Sequence, residues 1–292
     1  MDAAVAAPVA RPRRKLTGYW LLLPGALWLG LFFVVPFYSL VAASLYDPNG
    51  SVLGGYDVTY HFQNFANALR DFWQPLLRSL WYAGLATGIC LVLGYVLAYA
   101  IAFKGGKWRN LLLVLVIAPF FTSFLVRTLS WKLILADDGF IVNTLQSLHI
   151  LGANDRLLAT PVAVIAGLTY NFLPFMVLPL YASLEKIDGR LIEAAGDLYA
   201  SPARAFLKVT WPLSLPGVVA GTLLTFIPAA GDYINAQLLG SPNQRMVGNV
   251  IQNLFTSTGD YAAAGALSVI LMAVIVALVM VYVRTAGTED LV

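Results

Sequence analysis

Two charged residues lie inside long apolar runs of this sequence, and they are its strongest candidates for chemistry. Asp232, followed by Tyr233, interrupts the run from Val218 to Leu239, and Arg127 lies inside Leu111–Ile134. A charge that deep in an apolar helix costs about 2.5–3.5 kcal/mol on membrane-insertion scales, so it needs a partner. A carboxylate beside an aromatic ring can bind an organic cation. Asp232 therefore pairs either with such a ligand or with Arg127, and both interpretations stay open.

Motifs for catalysis are absent from the sequence. It contains no Gly-x-x-x-x-Gly-Lys-Ser/Thr loop for nucleotide phosphates, no His-Glu-x-x-His and no Gly-x-Ser-x-Gly. Its two histidines, His61 and His149, are far apart and do not suggest a metal site. We therefore predict no catalytic residue, no metal ligand and no cofactor in this chain. The energy for any transport must then come from a partner or from an ion gradient.

Hydropathy predicts an all-α membrane protein with six transmembrane helices. The 292 residues are 59% hydrophobic and 11% charged, whereas soluble domains carry about 25% charged residues. Each of six apolar runs is close to or above the ~20 residues that cross a bilayer. The predicted spans are Tyr19–Leu45, Leu77–Phe103, Leu111–Ile134, Ala159–Leu184, Val218–Leu239 and Ala262–Val283.

Lysine and arginine are distributed unevenly between the two sets of loops. Twelve of the eighteen fall on the side that holds both termini and the polar segment Asp188–Gly217, and five fall on the opposite side. Because cytoplasmic loops are enriched in these residues, we predict that both termini and the polar segment are cytoplasmic. The chain then divides into a tail of residues 1–18, a six-span domain of residues 19–283 and a tail of residues 284–292.

The polar segment predicts two short helices. Asp188 is a candidate N-cap for the first helix, and Ser201, which precedes a proline, is a candidate N-cap for the second. Pro212 and Pro216 are predicted to end the second helix, because proline lacks the backbone donor that a helix interior needs.

This segment resembles the cytoplasmic signature of the permeases of ABC importers. Glu193, Ala194 and Ala195 match the Glu-Ala-Ala of that family, Val209 stands where the family has Ile, and Pro212 matches its proline. The resemblance implies that these residues form a coupling segment, a helix–turn–helix that docks into a groove of a separate ATPase subunit. The alternative is an ordinary amphipathic cytoplasmic loop in which Glu193 only caps a helix.

Two positions of the coupling segment depart from the family pattern. Tyr199 stands where the family has Gly, and Trp211 stands where it has Leu. The glycine allows a left-handed turn between the two helices, and a tyrosine in that conformation costs about 1–2 kcal/mol. The turn is therefore either strained or rebuilt.

Three further stretches look like the permease subunits of spermidine/putrescine importers. They are Pro119–Arg127, continuing to Trp131; Tyr170–Tyr181, which includes Asn171; and Ile227–Tyr233. The resemblance covers about Leu21 to Val283. Relatives that move sulfate, ferric iron or thiamine share the fold, so these solutes remain alternatives.

The resemblance also implies a complete importer of type I fold in the bacterial cytoplasmic membrane. Its expected partners are two ATPase subunits, a second permease that is similar but distinct, an extracytoplasmic substrate-binding protein and the lipid bilayer, with no nucleic acid. ATP is expected to bind to the ATPase partner and not to this chain. The implied mechanism is alternating access, in which the coupling segment transmits motion to the spans.

The expected substrate path combines the two charged residues with polar and aromatic neighbours: Asp232, Tyr233, Arg127, Trp131, Tyr170, Asn171 and Gly231. Pro228 and Gly231 predict a bend in the fifth span, which either lines the path or is a packing kink. A secondary transporter would need more ionisable residues inside the spans than this chain offers. A membrane enzyme would need a catalytic constellation, which the sequence lacks.

Overall fold

Helices joined by short loops make up the part of the chain that the computed structural model describes, which comprises residues 17–50, 55–152 and 155–285. The α-helices in chain order are α1 (Thr17–Leu29), α2 (Val35–Ser44), α3 (Gln63–Tyr99), α4 (Arg109–Ile117), α5 (Phe124–Ile134), α6 (Phe140–Ser147), α7 (Pro161–Leu184), α8 (Gly189–Asp197), α9 (Pro202–Ala205), α10 (Trp211–Ala230), α11 (Ile234–Leu239), α12 (Val247–Asn253) and α13 (Tyr261–Thr285). The predicted tails, residues 1–18 and 284–292, lie mostly outside the described residues, so that division stays a prediction.

The first, fourth and sixth predicted spans agree closely with the helices. α1 and α2 form one continuous rod through a π-helical turn at Gly30–Val34, just before Pro36. The wider turn accommodates a proline that cannot donate to the preceding turn. α7 begins after Thr160, whose hydroxyl accepts a hydrogen bond from the backbone N–H of Ala163. α2 packs along α13, so the first and last spans are neighbours.

The second span begins well before the predicted Leu77. α3 starts at Gln63, so the second half of the predicted outer loop, Tyr46–Gln74, is helical. Phe72 departs from helical geometry (φ −122°, ψ 19°), three residues before Pro75. Pro75 explains the kink, because proline lacks the backbone donor that a helix interior needs. For the same reason the sequence around Pro75 predicted a loop.

The third predicted span, Leu111–Ile134, consists of two helices at a steep angle. α4 continues into a 3₁₀ turn, Ala118–Phe121, and α5 then starts at an angle of 92°. Pro119 and the extended backbone at Thr122 produce this break. Five described helical stretches are long and apolar enough to cross a membrane, and the bent pair counted as one span makes six.

The fifth span is longer at its start than predicted and is broken near its end. The prediction that Pro212 and Pro216 end a helix is wrong, because the chain is helical from Pro202 to Ala230. A π-helical turn at Phe206–Thr210 precedes Pro212 and absorbs the missing donor. The predicted interruption lies after Ala230, where residues 231–233 separate α10 from α11.

The core lies where α3, α7 and α10 pack against one another. A Cβ atom at Gly217 of α10 would lie 2.7 Å from the carbonyl oxygen of Pro179 in α7. The two backbones therefore approach too closely for any larger residue, as is common between membrane helices. This contact holds α7, which precedes the coupling segment, against α10, which begins within it.

The outer loops contain short helices of their own. The sequence around Val247–Phe255 predicts a short helix, which α12 confirms, whereas α6 was not predicted. Beside α6, the exposed guanidinium of Arg156 pairs with the Asp137 carboxylate and lowers the pKa of that group below its ordinary value. Of the outer loops, residues 51–54 and 153–154 lie outside the described residues.

Candidate functional site

The coupling segment forms the two helices that its caps predicted. The Asp188 carboxylate accepts a hydrogen bond from the backbone N–H of Arg190 at 3.0 Å, and the Ser201 hydroxyl accepts one from Arg204 at 3.4 Å. These caps satisfy N–H groups that have no partner within the helix. The first helix, α8, therefore begins at Gly189, and α9 begins at Pro202.

Tyr199 keeps the left-handed turn that the family builds with glycine. Its φ is +59°, and the backbone N–H of Ala200 donates to the carbonyl of Ala195 at 3.0 Å, which closes the end of α8. Of the two alternatives, the strained turn is therefore present, at a cost of about 1–2 kcal/mol. The Tyr199 side chain is 95% exposed, so no packing within this chain offsets that cost.

The predicted coupling residues lie on α8, on the π-helical turn before α10 and at the start of α10. Glu193 and Ala194 are exposed on α8, Ala195 is half-buried, Val209 is half-buried in the π-helical turn and Pro212 is exposed at the start of α10. Leu198 is 82% exposed beside Tyr199. Apolar side chains this exposed on an otherwise polar segment indicate a contact surface for another protein.

An ion pair that the sequence did not predict joins α4 to the end of α7. The Arg109 guanidinium lies 2.5 Å from the Glu185 carboxylate and 5.8 Å from the centre of the Tyr181 ring. Glu185 immediately follows α7 and precedes Asp188 by three residues. The pair therefore connects the coupling segment to the start of the third span.

The break after α10 carries Asp232, whose carboxylate faces the interior as predicted. Asp232 is 8% exposed, and its Oδ1 accepts a hydrogen bond from the backbone N–H of Asn235 at 2.8 Å. The carboxylate thereby caps the short helix α11. At Gly231, in contrast, an added Cβ atom would meet no atom within 4 Å, so open space lies beside the break.

Buried amides connect this break to two other spans. The Asn171 Nδ2 atom donates to Asn235 Oδ1 at 3.0 Å and to the Thr128 hydroxyl at 3.1 Å. All three residues are buried, and they lie on α7, α11 and α5 respectively. In the described part of the chain, Asn171 Oδ1 and Asn235 Nδ2 have no hydrogen-bond partner. Because buried polar groups are usually paired, these two atoms lack the hydrogen bonds that such groups normally form.

Of the two alternatives for Asp232, the ion pair with Arg127 is absent from this conformation. The Arg127 guanidinium lies 5.0 Å from the ring centre of Phe120 and 5.6 Å from that of Phe124. Nε and Nη1 are buried and have no hydrogen-bond partner among the described residues. α5 follows the bend in the third span, and it places Arg127 against these aromatic rings.

The aromatic residues of the predicted path separate into two groups. Trp131 and Tyr170 pack against each other, with ring centres 5.5 Å apart, and join α5 to α7. Tyr233 follows Asp232 and is exposed. The structure thus brings Trp131 and Tyr170 together and places Tyr233 separately, at the break.

The break is supported from the other side by α12, and this contact was not predicted from the sequence. The Asn249 Nδ2 atom donates to the Tyr233 carbonyl at 2.6 Å. A Cβ atom at Gly248 would lie 2.5 Å from the carbonyl oxygen of Gly231, so the α12 backbone lies directly on the break. The only sequence signal was the dipeptide Gly248-Asn249. Two residues are too few to indicate a contact between α12 and the break.

The chain matches the family model described as binding-protein-dependent transport system inner membrane component over residues 90–286, more than half of its length. The chain belongs to this family. It is 39% identical to the spermidine/putrescine transport system permease protein PotB of Haemophilus influenzae, over 88% of this chain and 90% of that protein. It is 37% identical to the Escherichia coli protein of the same name, over 89% and 94% of the two chains.

A solved structure with the same fold belongs to a bacterial alginate ABC transporter in complex with a periplasmic protein bound to an alginate pentasaccharide. The TM-score is 0.71 at 19% identity, and the match covers 95% of this chain and 96% of that chain. At this identity the likeness concerns the fold alone. It confirms the predicted all-α fold of an ABC importer permease, and family membership makes the chain a multi-pass inner-membrane component of a binding-protein-dependent transport system.

Proposed function

We propose that this chain is the membrane-spanning permease subunit of an ATP-driven polyamine importer. The observation that carries the proposal is its 37–39% identity, over about nine tenths of each chain, to permeases named for spermidine/putrescine transport. The buried Asp232 at the break in the fifth span supports it, because polyamines are chains of ammonium groups that need carboxylate partners. The solute reaches this chain on an extracytoplasmic binding protein.

The proposed complex contains two ATPase subunits and a second permease, similar to this chain but distinct. ATP binds to the ATPases, and this chain needs no cofactor of its own. The exposed apolar residues Leu198 and Tyr199 are the contact surface for one ATPase, with Glu193 as a charged neighbour. Burial of Tyr199 in the ATPase groove would offset the strain of its left-handed turn.

Motion of the ATPase reaches the break through α10. This helix has 20 residues, so it spans about 30 Å at 1.5 Å per residue. Its close contact with α7 at Gly217, together with the Arg109–Glu185 pair, makes the cytoplasmic ends of three spans move with the coupling segment. A rigid rotation of α10 then displaces residues 231–233 and exposes Asp232 to the path.

The proposed recognition site combines Asp232 with the amide atoms that lack partners. Asn171 Oδ1 can accept a hydrogen bond from an ammonium group, while the aromatic faces of Trp131 and Tyr170 can cover the methylene groups between two amines. Arg127 lies on the same span as Trp131, and its positive charge limits how deeply a cation enters in the resting state.

The proposed orientation places both termini and the coupling segment in the bacterial cytoplasm, on the basis of the lysine and arginine distribution. The outer ends of α11 and α13 then face the binding protein. This orientation is required if α8 and α9 are to meet an ATPase.

The test is uptake by the complete transporter, reconstituted with its binding protein, for labelled spermidine, putrescine, sulfate, ferric iron and thiamine. We expect ATP-dependent uptake of polyamines only. In Asp232→Asn the amide oxygen can still cap α11, so the fold is kept while the charge is lost. Loss of one charge-assisted contact of about 1.5–3 kcal/mol should reduce polyamine uptake at low concentration by tenfold or more.

The matched control is Asp260→Asn. The Asp260 Oδ1 atom caps α13 by accepting from the backbone N–H of Ala263 at 2.9 Å, the same arrangement at a different helix. This control should retain wild-type uptake. Uptake of another solute in place of polyamines would contradict the proposed substrate, and equal uptake by the two variants would contradict the role of Asp232.

A further inference from the structure

A polar pocket lies between α11 and α12, beyond the end of α10 that faces away from the coupling segment. It has a volume of about 250 Å³. Its lining is rich in amide and hydroxyl side chains, which include Gln237, Asn253, Thr256 and Ser257. Sites that enclose a small-molecule ligand usually have about 300–1,000 Å³. The pocket is therefore slightly smaller than the usual range for a small-molecule site.

Arg245 supplies the charge of this pocket. Among the described residues that line the pocket it is the sole charged one, and no carboxylate lines the pocket. Its guanidinium is exposed and forms no ion pair within the described ranges. The Arg245 carbonyl accepts a hydrogen bond from Arg78 Nη1 at 3.0 Å, which fixes the loop to α3 and adds a second positive charge nearby.

The chemistry of this lining selects a carboxylate. A guanidinium and several N–H and O–H donors around a small opening match the oxygen atoms of Asp or Glu, whereas an ammonium group would meet no compensating charge. A solute cation is therefore disfavoured as the occupant, and an acidic side chain of another protein is favoured.

The floor of the pocket connects directly to the break in the fifth span. Asn249 lines the pocket, and its Nδ2 atom donates a hydrogen bond to the Tyr233 carbonyl oxygen at 2.6 Å. The adjacent Gly248 lies against the carbonyl of Gly231. A group that binds in the pocket and shifts α12 must therefore shift residues 231–233 as well.

We propose that this pocket receives an acidic side chain of the extracytoplasmic binding protein and that docking there is transmitted through α12 to the break. The inference rests on the proposed orientation and on the family's dependence on a binding protein, but not on the identity of the solute. Arg245 attracts the carboxylate, the amides and hydroxyls fix it, and Asn249 transmits the displacement to Tyr233.

The experiment measures binding of the transporter's own binding protein to the complete complex in lipid nanodiscs, at several salt concentrations. We expect Arg245→Gln to weaken binding about tenfold at low salt and to reduce the salt dependence, because a contact between opposite charges is screened by ions. Arg156→Gln is the matched control. It removes the same charge from the outer side, but Arg156 is already paired with Asp137, so binding should not change.

A second variant, Thr256→Trp, fills the pocket without changing the charge. Thr256 is exposed, so this variant should fold and assemble, and it should weaken binding without changing the salt dependence. Wild-type affinity in both Arg245→Gln and Thr256→Trp would overturn the inference. Failure of Arg245→Gln to assemble with the second permease would also overturn it, because the pocket would then belong to the subunit interface. The binding assay does not depend on which solute is carried. An error in the proposed substrate would therefore appear in the uptake measurements and not in the binding assay.

Discussion

Replacement of Gly248 by alanine tests whether α12 sets the geometry of the break. An added Cβ atom would lie 2.5 Å from the Gly231 carbonyl oxygen, 3.0 Å from the Asp232 oxygen and 3.2 Å from the Asp232 carbonyl carbon. All three are backbone atoms, so no side-chain rotation can relieve the contact. Either α12 or the break must move.

The magnitude follows from two opposing effects. Overpacking of a filled site usually costs about 1–3 kcal/mol, and Gly→Ala inside a helix recovers about 1 kcal/mol. The net loss for Gly248→Ala is therefore about 0–2 kcal/mol. This corresponds to a few degrees in the apparent melting temperature of a chain of this size.

The assay combines thermal unfolding of the purified complex with solute uptake at equal abundance in the membrane. Gly231→Ala is the matched control, because it makes the same change on the opposite side of the contact, where the new Cβ atom meets nothing within 4 Å. We expect Gly248→Ala to lower both the melting temperature and uptake, and Gly231→Ala to leave the melting temperature nearly unchanged.

Equal behaviour of the two alanine variants would refute this reasoning. It would mean that the contact between α12 and the break relaxes at no cost, so that the break is not held from that side. The transmission through α12 proposed above would then lose its physical basis.

Two further predictions concern the ends of the transport pathway. Ala195→Asp places a charge at a half-buried position of α8, so this variant should reach normal abundance in the membrane but lose its association with the ATPase, whereas Ala195→Ser should keep it. Co-purification of the ATPase measures the association. Normal association of the aspartate variant would contradict the docking surface. Because Arg127 and Asp232 do not pair, the double variant Arg127→Gln/Asp232→Asn should remain as inactive in polyamine uptake as Asp232→Asn alone. Recovery of uptake in the double variant would indicate that the two charges pair in another state of the cycle.

Local sequence was sufficient for the features that depend on neighbours along the chain. The caps at Asp188 and Ser201 use side chains within three residues of the N–H groups that they satisfy. Continuous apolar runs predicted the spans because crossing a bilayer requires a certain length of apolar helix wherever that helix packs. The interruption after Ala230 was likewise predicted from nearby glycine and proline.

Prolines show the limit of such local reasoning. Pro212 and Pro216 were expected to end a helix, yet the helix continues, because a π-helical turn and packing against α7 compensate for the missing donors. Pro119, in contrast, does interrupt the third span, with a bend of 92°. The same residue type gives both outcomes, and the choice depends on the neighbours that each segment finds in the folded protein.

The sequence by itself determined the apolar spans, the starts of the two coupling helices and which charged residues lie inside apolar runs. Only the tertiary structure decided what those partners are. Arg127 meets Phe120 and Phe124, Asp232 caps α11, and α12 supports the break, because these contacts depend on the angles at which distant helices cross. Residue spacing along one helix gives the depth of a side chain in the membrane and the helix face on which it lies. It carries no information about how the neighbouring helix is bent or rotated.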